Sequence, residues 1–343
     1  MSGWDIFVPY PQSEVGVRSI RFVFVLVSLT ASACCAQQGR LLVAQKGERS
    51  LAIVDPASGS VIASVAENGV TGHEVVASPD GRLAYVPIYG NSGVGSPGTD
   101  GSQMVVIDIA AKKIVGTVDF GHGVRPHDPV FGPKDGLLYV TTELDKTVSV
   151  IDPKTLKIVG TIPTGQEQSH MLAISHDGRR GYTANVGPGT VSVLDMQARK
   201  TLKVIPVSGN TQRIAISMDD KWVFTADQKQ PRMAVIDTAT DTVTKWVPLD
   251  GLGYGSAPTP DGSWLLMTVP DKNAVAVIDL KTMQVVRSVA VGTYPQAVVV
   301  RPDGKAAYAS CMHSNQVTEI DLATWKTQTI ATGKGTDGLA WAK

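Results

Sequence analysis

The chain has 343 residues and is balanced in charge, with 31 Lys and Arg against 31 Asp and Glu, while 43% of its residues are hydrophobic. This length and apolar content are sufficient for a large folded core. A neutral chain has no excess of cations to neutralise phosphate groups, so nucleic-acid binding is not expected.

The N-terminal segment has the order of features that is typical of an export signal. Arg18 and Arg21 precede an apolar run over residues 22–31, and small residues then lead to Cys34. The run is shorter than the ~20 apolar residues that a membrane-spanning helix needs. We therefore predict a signal segment over residues 1–36, a mature chain without a transmembrane segment, and a periplasmic or secreted location. Acylation of Cys34, which would make the protein a lipoprotein, is the alternative.

A strand-ending phrase, hydrophobic-x-hydrophobic-Ile/Val/Leu-Asp, recurs seven times in the rest of the chain. Its aspartates are Asp55, Asp108, Asp152, Asp195, Asp237, Asp279 and Asp321, and their successive spacings are 53, 44, 43, 42, 42 and 42 residues. A period of about 40–45 residues built from strands and turns is typical of a β-propeller, because each small sheet buries its faces against neighbouring sheets. We predict an all-β, seven-bladed β-propeller of four-stranded blades over residues 40–343.

Two tight turns divide each copy into four strands, an inner one, a second, a third that ends in the repeated Asp, and an outer one. In the sixth copy these turns are Pro260-Asp261-Gly262 and Asp271-Lys272-Asn273, and both have typical turn composition. The first copy lacks an inner strand, whereas the chain ends with an isolated one over residues 338–342. We predict that this C-terminal strand joins the N-terminal blade and closes the ring, which removes exposed strand edges.

Two of the repeat units carry a family resemblance. Residues 138–143, Leu-Tyr-Val-Thr-Thr-Glu, and residues 182–185, Tyr-Thr-Ala-Asn, resemble the YVTN β-propeller repeat of YncE-like exported proteins. The resemblance covers about residues 40–343 and implies the propeller fold and export. The family is related in form to lactonase propellers and to the haem-binding propeller of nitrite reductases, but its repeated residues build blades and do not define a function. No Cys-x-x-Cys-His motif occurs, so covalent haem is not expected, while noncovalent haem stays open.

Three of the six histidines share one position in the repeat. Counting back from the Asp of the inner turn places His73, His127 and His170 at the start of the inner strands of consecutive blades. The ring would direct them to a common axis, where imidazoles suit Zn or Cu, with Glu74, Asp128 or water as further ligands. We predict a channel mouth that binds a small ligand or a transition metal. Polar residues that merely fill a wet channel are the alternative.

The same count places residues of the remaining blades at this level of the channel. Gln212, Tyr254 and Gln296 fall there, together with Asp337 from the closing strand. Arg213 follows Gln212 directly and would add a cation next to the axis. We predict that Arg213, Tyr254, Gln296 and Asp337 contact a ligand, and rim residues without that role are the alternative.

The connection over residues 121–128 suggests catalysis as a second class of function. His127 and Asp128, with Arg125 nearby, could supply a base and an anion clamp for a lactone or a phosphate-bearing substrate. This combination predicts a lactonase-like hydrolase or isomerase. No activated nucleophile is evident, and a solvated Arg125, or one paired to Asp128, explains the same residues structurally. A monomeric scaffold that binds a protein partner is the third class.

Two segments lie outside the repeat pattern. Cys311 and His313 offer soft donors that would join a copper site, although a buried Cys is commonly a core residue. The insertion over residues 89–102 in the second copy lies between a second and a third strand, on the face where we expect ligands. A tolerated surface loop and a cover over the pocket are both consistent with it.

Overall fold

The computed structural model describes residues 1, 3–4, 7–12 and 39–343. The chain divides into two units, residues 1–36 and residues 37–343. Most of the predicted signal segment, including Cys34, lies outside the described residues. Within the ranges that are described, no helix is long and apolar enough to cross a membrane.

The second unit consists of seven four-stranded antiparallel sheets, which form the blades of a ring and confirm the predicted seven-bladed propeller. Blades 1 and 2 contain β1 (Arg40–Gln45), β2 (Ser50–Asp55), β3 (Ser60–Ala66), β4 (Val76–Ala77), β5 (Leu83–Gly90), β6 (Asp100–Asp108) and β7 (Lys113–Asp119). Blades 3 and 4 contain β8 (Pro126–Phe131), β9 (Leu138–Thr142), β10 (Thr147–Asp152), β11 (Lys157–Pro163), β12 (Ser169–Ile174), β13 (Arg180–Asn185), β14 (Thr190–Asp195) and β15 (Lys200–Pro206).

The remaining blades follow the same order. Blades 5 and 6 contain β16 (Thr211–Ile216), β17 (Trp222–Asp227), β18 (Arg232–Asp237), β19 (Thr242–Pro248), β20 (Ser256–Pro258), β21 (Trp264–Val269), β22 (Ala274–Asp279) and β23 (Gln284–Ala290). Blade 7 contains β24 (Pro295–Val300), β25 (Ala306–Cys311), β26 (Gln316–Asp321) and β27 (Thr327–Ala331), and β28 (Thr336–Ala342) completes blade 1. Two short 3-10 helices, Pro270–Lys272 and Met312–Ser314, replace turns in blades 6 and 7.

The ring closes through the two ends of the propeller, as predicted. Strand β28 pairs antiparallel with β1, so that Trp341 lies opposite Leu41 and Leu339 lies opposite Val43. The sheet order of blade 1 is therefore β28-β1-β2-β3. The C-terminal strand thus covers the edge that β1 would otherwise expose.

The repeated aspartates shape the turns of each blade. The Asp that ends each third strand accepts hydrogen bonds from backbone amides in the following turn, as in Lys154 N to Asp152 Oδ1 at 2.9 Å. The Asp of the inner turn does the same, and Gly178 beside it has φ +72°. In the fifth copy, where the turn reads Asp-Asp, Asp220 adopts φ +60° instead, since Asp tolerates this conformation better than most residues do. The repeat is therefore a turn signature.

Seven apolar clusters hold the ring together, each between neighbouring blades. Between blades 1 and 2, for example, the fully buried Leu42 and Ile53 pack with Val86 and Ile107. The two middle strands of most blades are buried along nearly their whole length, whereas the outer strands alternate between exposed and covered positions. Burial of these faces holds the inner strands, and so the side chains at the channel, in fixed positions.

Candidate functional site

Three imidazoles meet at the mouth of the channel. The centroids of His127 and His170 lie 3.6 Å apart in a stacked arrangement, and His73 meets His127 edge to face at 5.7 Å. All three residues are buried, with at most 7% of their surface exposed. The predicted convergence of the three histidines is confirmed, because the propeller brings the start of three consecutive inner strands to one axis.

A second set of side chains, which the sequence analysis missed, also lies at the channel mouth. Tyr89 lies between 4.6 and 5.7 Å, centroid to centroid, from each of the three imidazoles. Its hydroxyl donates a hydrogen bond to Glu143 Oε2, and this carboxylate lies 3.7 Å from Nδ1 of His170. Glu143 is 3% exposed. It is thus the common partner of a phenol and an imidazole.

This second set of side chains also occupies equivalent positions in successive blades, at the ends of the second strands. Tyr89 and Glu143 stand four residues after Tyr85 and Tyr139, which occupy equivalent positions in blades 2 and 3. The same count in blades 1, 4 and 5 gives Lys46, Val186 and Gln228, and all three line the pocket. Counting forward from the large residue of each second strand would therefore have found these positions.

An ion-pair network lies opposite the imidazoles. The Arg213 guanidinium contacts the carboxylates of Glu74 and Asp337 at 2.5 and 3.5 Å, and Lys46 Nζ lies 3.3 Å from Asp337. The Tyr254 ring centroid is 5.1 Å from the Arg213 guanidinium carbon. Arg213 is 7% exposed. The structure therefore brings the predicted ligand residues Arg213, Tyr254 and Asp337 together, with both cations already paired.

The backbone at Arg213 is strained. Its φ of +58° lies in the left-handed region, which costs a residue with a large side chain free energy. The strand register shifts between Gln212 and Ala215, so Arg213 belongs to a β-bulge that interrupts pairing with β17. The bulge turns this side chain into the channel. Of the predicted ligand residues, only Gln296 does not line the pocket, and its backbone carbonyl accepts hydrogen bonds from Gly255 and Thr268.

The predicted catalytic group does not assemble. The Arg125 side chain binds Asp100, at 2.6 Å from Nε to Oδ1, and the carbonyl of Ser96, at 2.7 Å. Asp128 instead accepts a hydrogen bond from the backbone amide of Leu172 at 2.7 Å. Arg125 therefore holds the insertion, a contact that the repeat pattern does not encode, and it is not an anion clamp beside Asp128. Only His127 of the three lines the pocket.

The predicted metal ligands do not form a metal centre in this arrangement. Over residues 39–343, no group of three or more His, Cys, Asp or Glu side chains could hold a metal ion. The rings of His127 and His170 lie face to face, with centroids 3.6 Å apart and planes inclined by 27°. Cys311 is fully buried, with Sγ 3.6 Å from Thr318 Oγ1, and the exposed His313 stacks on Tyr294. These two residues are therefore core and rim residues.

Burial sets the charge of the titratable groups. It lowers the pKa of His73 and of His127 well below 6.5, and the pKa of His170 is lowered as well, although Glu143 offsets part of the effect. Burial raises the pKa of Glu143, but contacts with His170 and Tyr89 outweigh it, so the net pKa lies below the ordinary value. The three imidazoles are therefore neutral at pH 7, next to an ionised carboxylate.

Two further carboxyl groups of the channel, each directly following one of the pocket histidines, shift in the opposite direction. Burial raises the pKa of Glu74 to about 8 against the attraction of Arg213, and it raises the pKa of Asp128 to about 6. At this pKa, Glu74 stays mostly protonated at pH 7 and ionises at moderately alkaline pH.

These side chains surround a cavity of about 360 Å³. Its lining residues are Lys46, His73, Tyr89, Gly93, Val94, His127, His170, Val186, Asn210, Gln212, Arg213, Gln228, Tyr254 and Asp337. A larger cleft of about 680 Å³ lies at the seam of blades 7 and 1, but its side chains are exposed or half-buried. The fold and the site thus define a seven-bladed propeller with a buried polar pocket at the channel mouth.

Part of the chain matches a known family. Residues 131–261 match the cytochrome D1 heme domain. The match covers less than half of the chain, so family membership does not follow from it. A comparison with curated proteins finds no match.

Solved structures share the propeller over most of the chain. Hydrazine synthase of Kuenenia stuttgartiensis is 23% identical, with a TM-score of 0.69, over 80% of this chain and 90% of that one. The periplasmic gluconolactonase PpgL of Pseudomonas aeruginosa is 17% identical, with a TM-score of 0.69, over 89% and 99%. Dihydro-heme d1 dehydrogenase NirN, in complex with DHE, is 15% identical, with a TM-score of 0.62, over 88% and 74%. At these identities the likeness shows the fold alone.

The pocket residues do not fit the haem group that the D1 family name implies. A tetrapyrrole requires a flat slot with apolar faces and an imidazole free to act as axial ligand. Here the imidazoles pack on one another and on Tyr89, and the lining is mostly polar. Both cations that could pair with haem carboxylates are already paired with Glu74 and Asp337.

Proposed function

We propose that this protein is an exported propeller whose channel pocket binds a small, uncharged, polyhydroxylated ligand. The observation that carries the proposal is the contrast between two halves of one cavity. On one side Arg213 and Lys46 already contact the carboxyl groups of Glu74 and Asp337. The other side presents neutral groups that donate or accept hydrogen bonds. Cations that carboxyl groups already occupy are not free to pair with an anionic ligand, whereas neutral polar groups suit hydroxyls.

Unpartnered polar atoms support this assignment. Among residues 39–343, Nδ1 of His127 and the side-chain oxygens of Asn210 and Gln212 are buried without a hydrogen-bond partner. Leaving such atoms unpaired costs about 1–3 kcal/mol each. All three residues line the cavity. A ligand that supplied hydroxyl donors to this side would recover part of that free energy.

The volume of the cavity and the similarity to solved propellers both agree with a ligand the size of a single sugar ring. A volume of about 360 Å³ lies near the lower end of the roughly 300–1,000 Å³ that is usual for ligand pockets. One of the similar folds is a periplasmic gluconolactonase, whose substrate class is neutral and rich in hydroxyls. The YVTN-like repeats, together with the signal segment predicted over residues 1–36, support export to the periplasm or outside the cell.

A second candidate, lactone hydrolysis, is favoured by the pair formed by Glu143 and His170. With the carboxylate beside Nδ1, the other ring nitrogen is available to take a proton from water. The water oxygen would then bond to the lactone carbonyl carbon, the ring carbon–oxygen bond would break, and the leaving oxygen would take the proton.

Calorimetric titration with fresh glucono-1,5-lactone, and with gluconate as the charged comparison, tests both candidates. We expect the lactone to bind more tightly than gluconate, and His127→Ala to weaken binding about tenfold, because one hydrogen-bonding partner is lost. His122→Ala is the matched control, since His122 is exposed and pairs with Asp145. Acid release above the spontaneous rate, lost in Glu143→Gln, would identify the hydrolase. Equal binding by the His127 and His122 variants, or tighter binding of gluconate, would contradict the proposal.

A further inference from the structure

The insertion between β5 and β6 crosses from blade 2 to the pocket. Residues 91–99, which we call the insertion loop, are exposed on their outer side, yet Gly93 and the half-buried Val94 line the cavity. The loop continues over blade 3 and reaches Gln168 of blade 4. At this point an ideal Cβ on Gly95 would lie 2.5 Å from Gln168 Nε2. The loop therefore covers the side of the mouth where the imidazoles meet.

Few contacts hold the insertion loop in place. Arg125 Nη2 donates to the carbonyl of Ser96 at 2.7 Å, and the amide of Gly95 donates to Glu143 Oε1 at 3.2 Å. Val94 and Pro97 are the only apolar side chains between residues 91 and 99. A segment with so little apolar burial has low local stability. Its closed position depends on two charge-assisted hydrogen bonds, which are the stronger kind.

The residues that hold the insertion loop also contact the imidazole side of the pocket. Glu143, which accepts from Gly95, is the residue that accepts from Tyr89 and faces His170. Arg125 lies 3.5 Å from the same carboxylate and 2.6 Å from Asp100, where the insertion rejoins β6. The Glu143 carboxylate thus contacts both the insertion loop and the imidazole of His170.

We propose that the insertion loop is a lid, latched by Arg125 and Glu143, that limits access to the imidazole side of the pocket and restricts it to small ligands. This inference rests on the proposed ligand-binding function for its biological meaning. Access to the pocket can be measured in the protein without ligand, so the lid can be tested separately from ligand binding.

Histidine labelling with diethyl pyrocarbonate, read residue by residue by mass spectrometry, measures access to the pocket. The six histidines divide into His73, His127 and His170 inside it, and His122, His176 and His313 exposed outside it. The exposed three are internal references for reagent concentration and for folding. The full chain is used throughout.

Two variants open the proposed lid in different ways. Gly95→Ala places a methyl group against Gln168 at a residue with φ +68°. Its matched control is Gly121→Ala, at φ +81°, where an added Cβ meets no atom within 4 Å. Arg125→Gln removes the latch, with the exposed Arg179→Gln as its control. We expect the three pocket histidines to react about tenfold faster in both lid variants, while labelling of the reference histidines does not change. Arg125→Gln removes a charged hydrogen bond to the loop, and Gly95→Ala distorts the hydrogen bond to Glu143.

Pocket labelling in Gly95→Ala that equals labelling in Gly121→Ala would overturn the lid. If Arg125→Gln fails to fold, a chain in which Gly-Gly replaces residues 92–98 provides the second variant. Added glucono-1,5-lactone separates the two proposals. Protection of the pocket histidines by the lactone supports the ligand site, whereas faster labelling of the lid variants without any protection supports the lid and contradicts that ligand class.

Discussion

Removal of residues 336–343 is expected to lower the Tm by about 8 °C, because it takes the inner strand from blade 1. The truncation breaks the ladder between β28 and β1 and exposes the fully buried Leu41 and Val43. At about 1 kcal/mol per hydrogen bond and ~1.5–3 kcal/mol per large apolar side chain, the loss is on the order of 5 kcal/mol. That is comparable with the ~5–15 kcal/mol that stabilises a typical folded protein. For a folded unit of this size, each kcal/mol corresponds to about 1.5 °C.

Differential scanning calorimetry of the truncated chain measures this effect, with deletion of Lys343 alone as the control. A synthetic peptide of residues 336–343 gives a second test, since a strand added in trans can pair with the exposed edge of β1. We expect the peptide to raise the Tm of the truncated chain and to leave that of the full chain unchanged. A truncated protein that melts with the full chain would show that the ring does not depend on this closure.

Arg213→Met is expected to cost about 3–5 kcal/mol, because it leaves the buried carboxylates of Glu74 and Asp337 without their shared cation. Methionine has a similar length and no charge, so the change tests pairing more than volume. The effect should depend on pH. The pKa of Glu74 is already raised to about 8, and loss of a neighbouring cation raises it further. Stability from a raised carboxyl pKa is present below the unfolded value and is lost as the pH rises through the folded one.

Urea unfolding of Arg213→Met at about pH 6 and about pH 9 measures both parts of this prediction. We expect the larger loss at the higher pH. Glu74→Gln in the same chain should recover part of the stability, because it removes one of the unpaired charges. Arg180→Met is a suitable control, since Arg180 pairs with Asp241 where both side chains are partly exposed. A pH-independent loss equal to that of the control would contradict the assignment of a buried charge network.

The fold could be predicted from the sequence because each repeat carries its own turn chemistry. The aspartates at 42-residue spacing cap turns, and the closing strand is visible as an unpaired segment at the C-terminus. The register that brought His73, His127 and His170 together follows from the same count. In a closed ring, equal positions in neighbouring blades face one axis, so a sequence count becomes a distance in space.

The partners of these imidazoles could not be predicted in the same way. Glu143 and Tyr89 belong to a second register, at the ends of second strands, where the repeat carries different residues in every blade. Arg125 is itself a predicted site residue, yet it binds an insertion whose path no repeat defines. Blades 3, 4 and 7 have a β-bulge at the same place as blade 5, but only in blade 5 is the residue at the position of Arg213 left-handed. Local sequence rules do not predict strained residues or the path of insertions, and this site contains both.

The most direct test of the central claim, that the ring gathers three histidines into one buried cluster, is a titration of all six histidine rings by NMR. Spectra of the ring Cε1–H groups between about pH 8 and about pH 5 cover the range where an ordinary imidazole gains its proton. Because the pKa values of His73, His127 and His170 are lowered by burial, these rings should stay neutral where unfolded histidines become protonated, and acid should destabilise the fold. His122, whose pKa is raised mainly by its hydrogen bond to Asp145, should gain its proton at a higher pH than the pocket rings do. Ordinary titration of any of the three pocket rings, with the fold intact, would contradict the account.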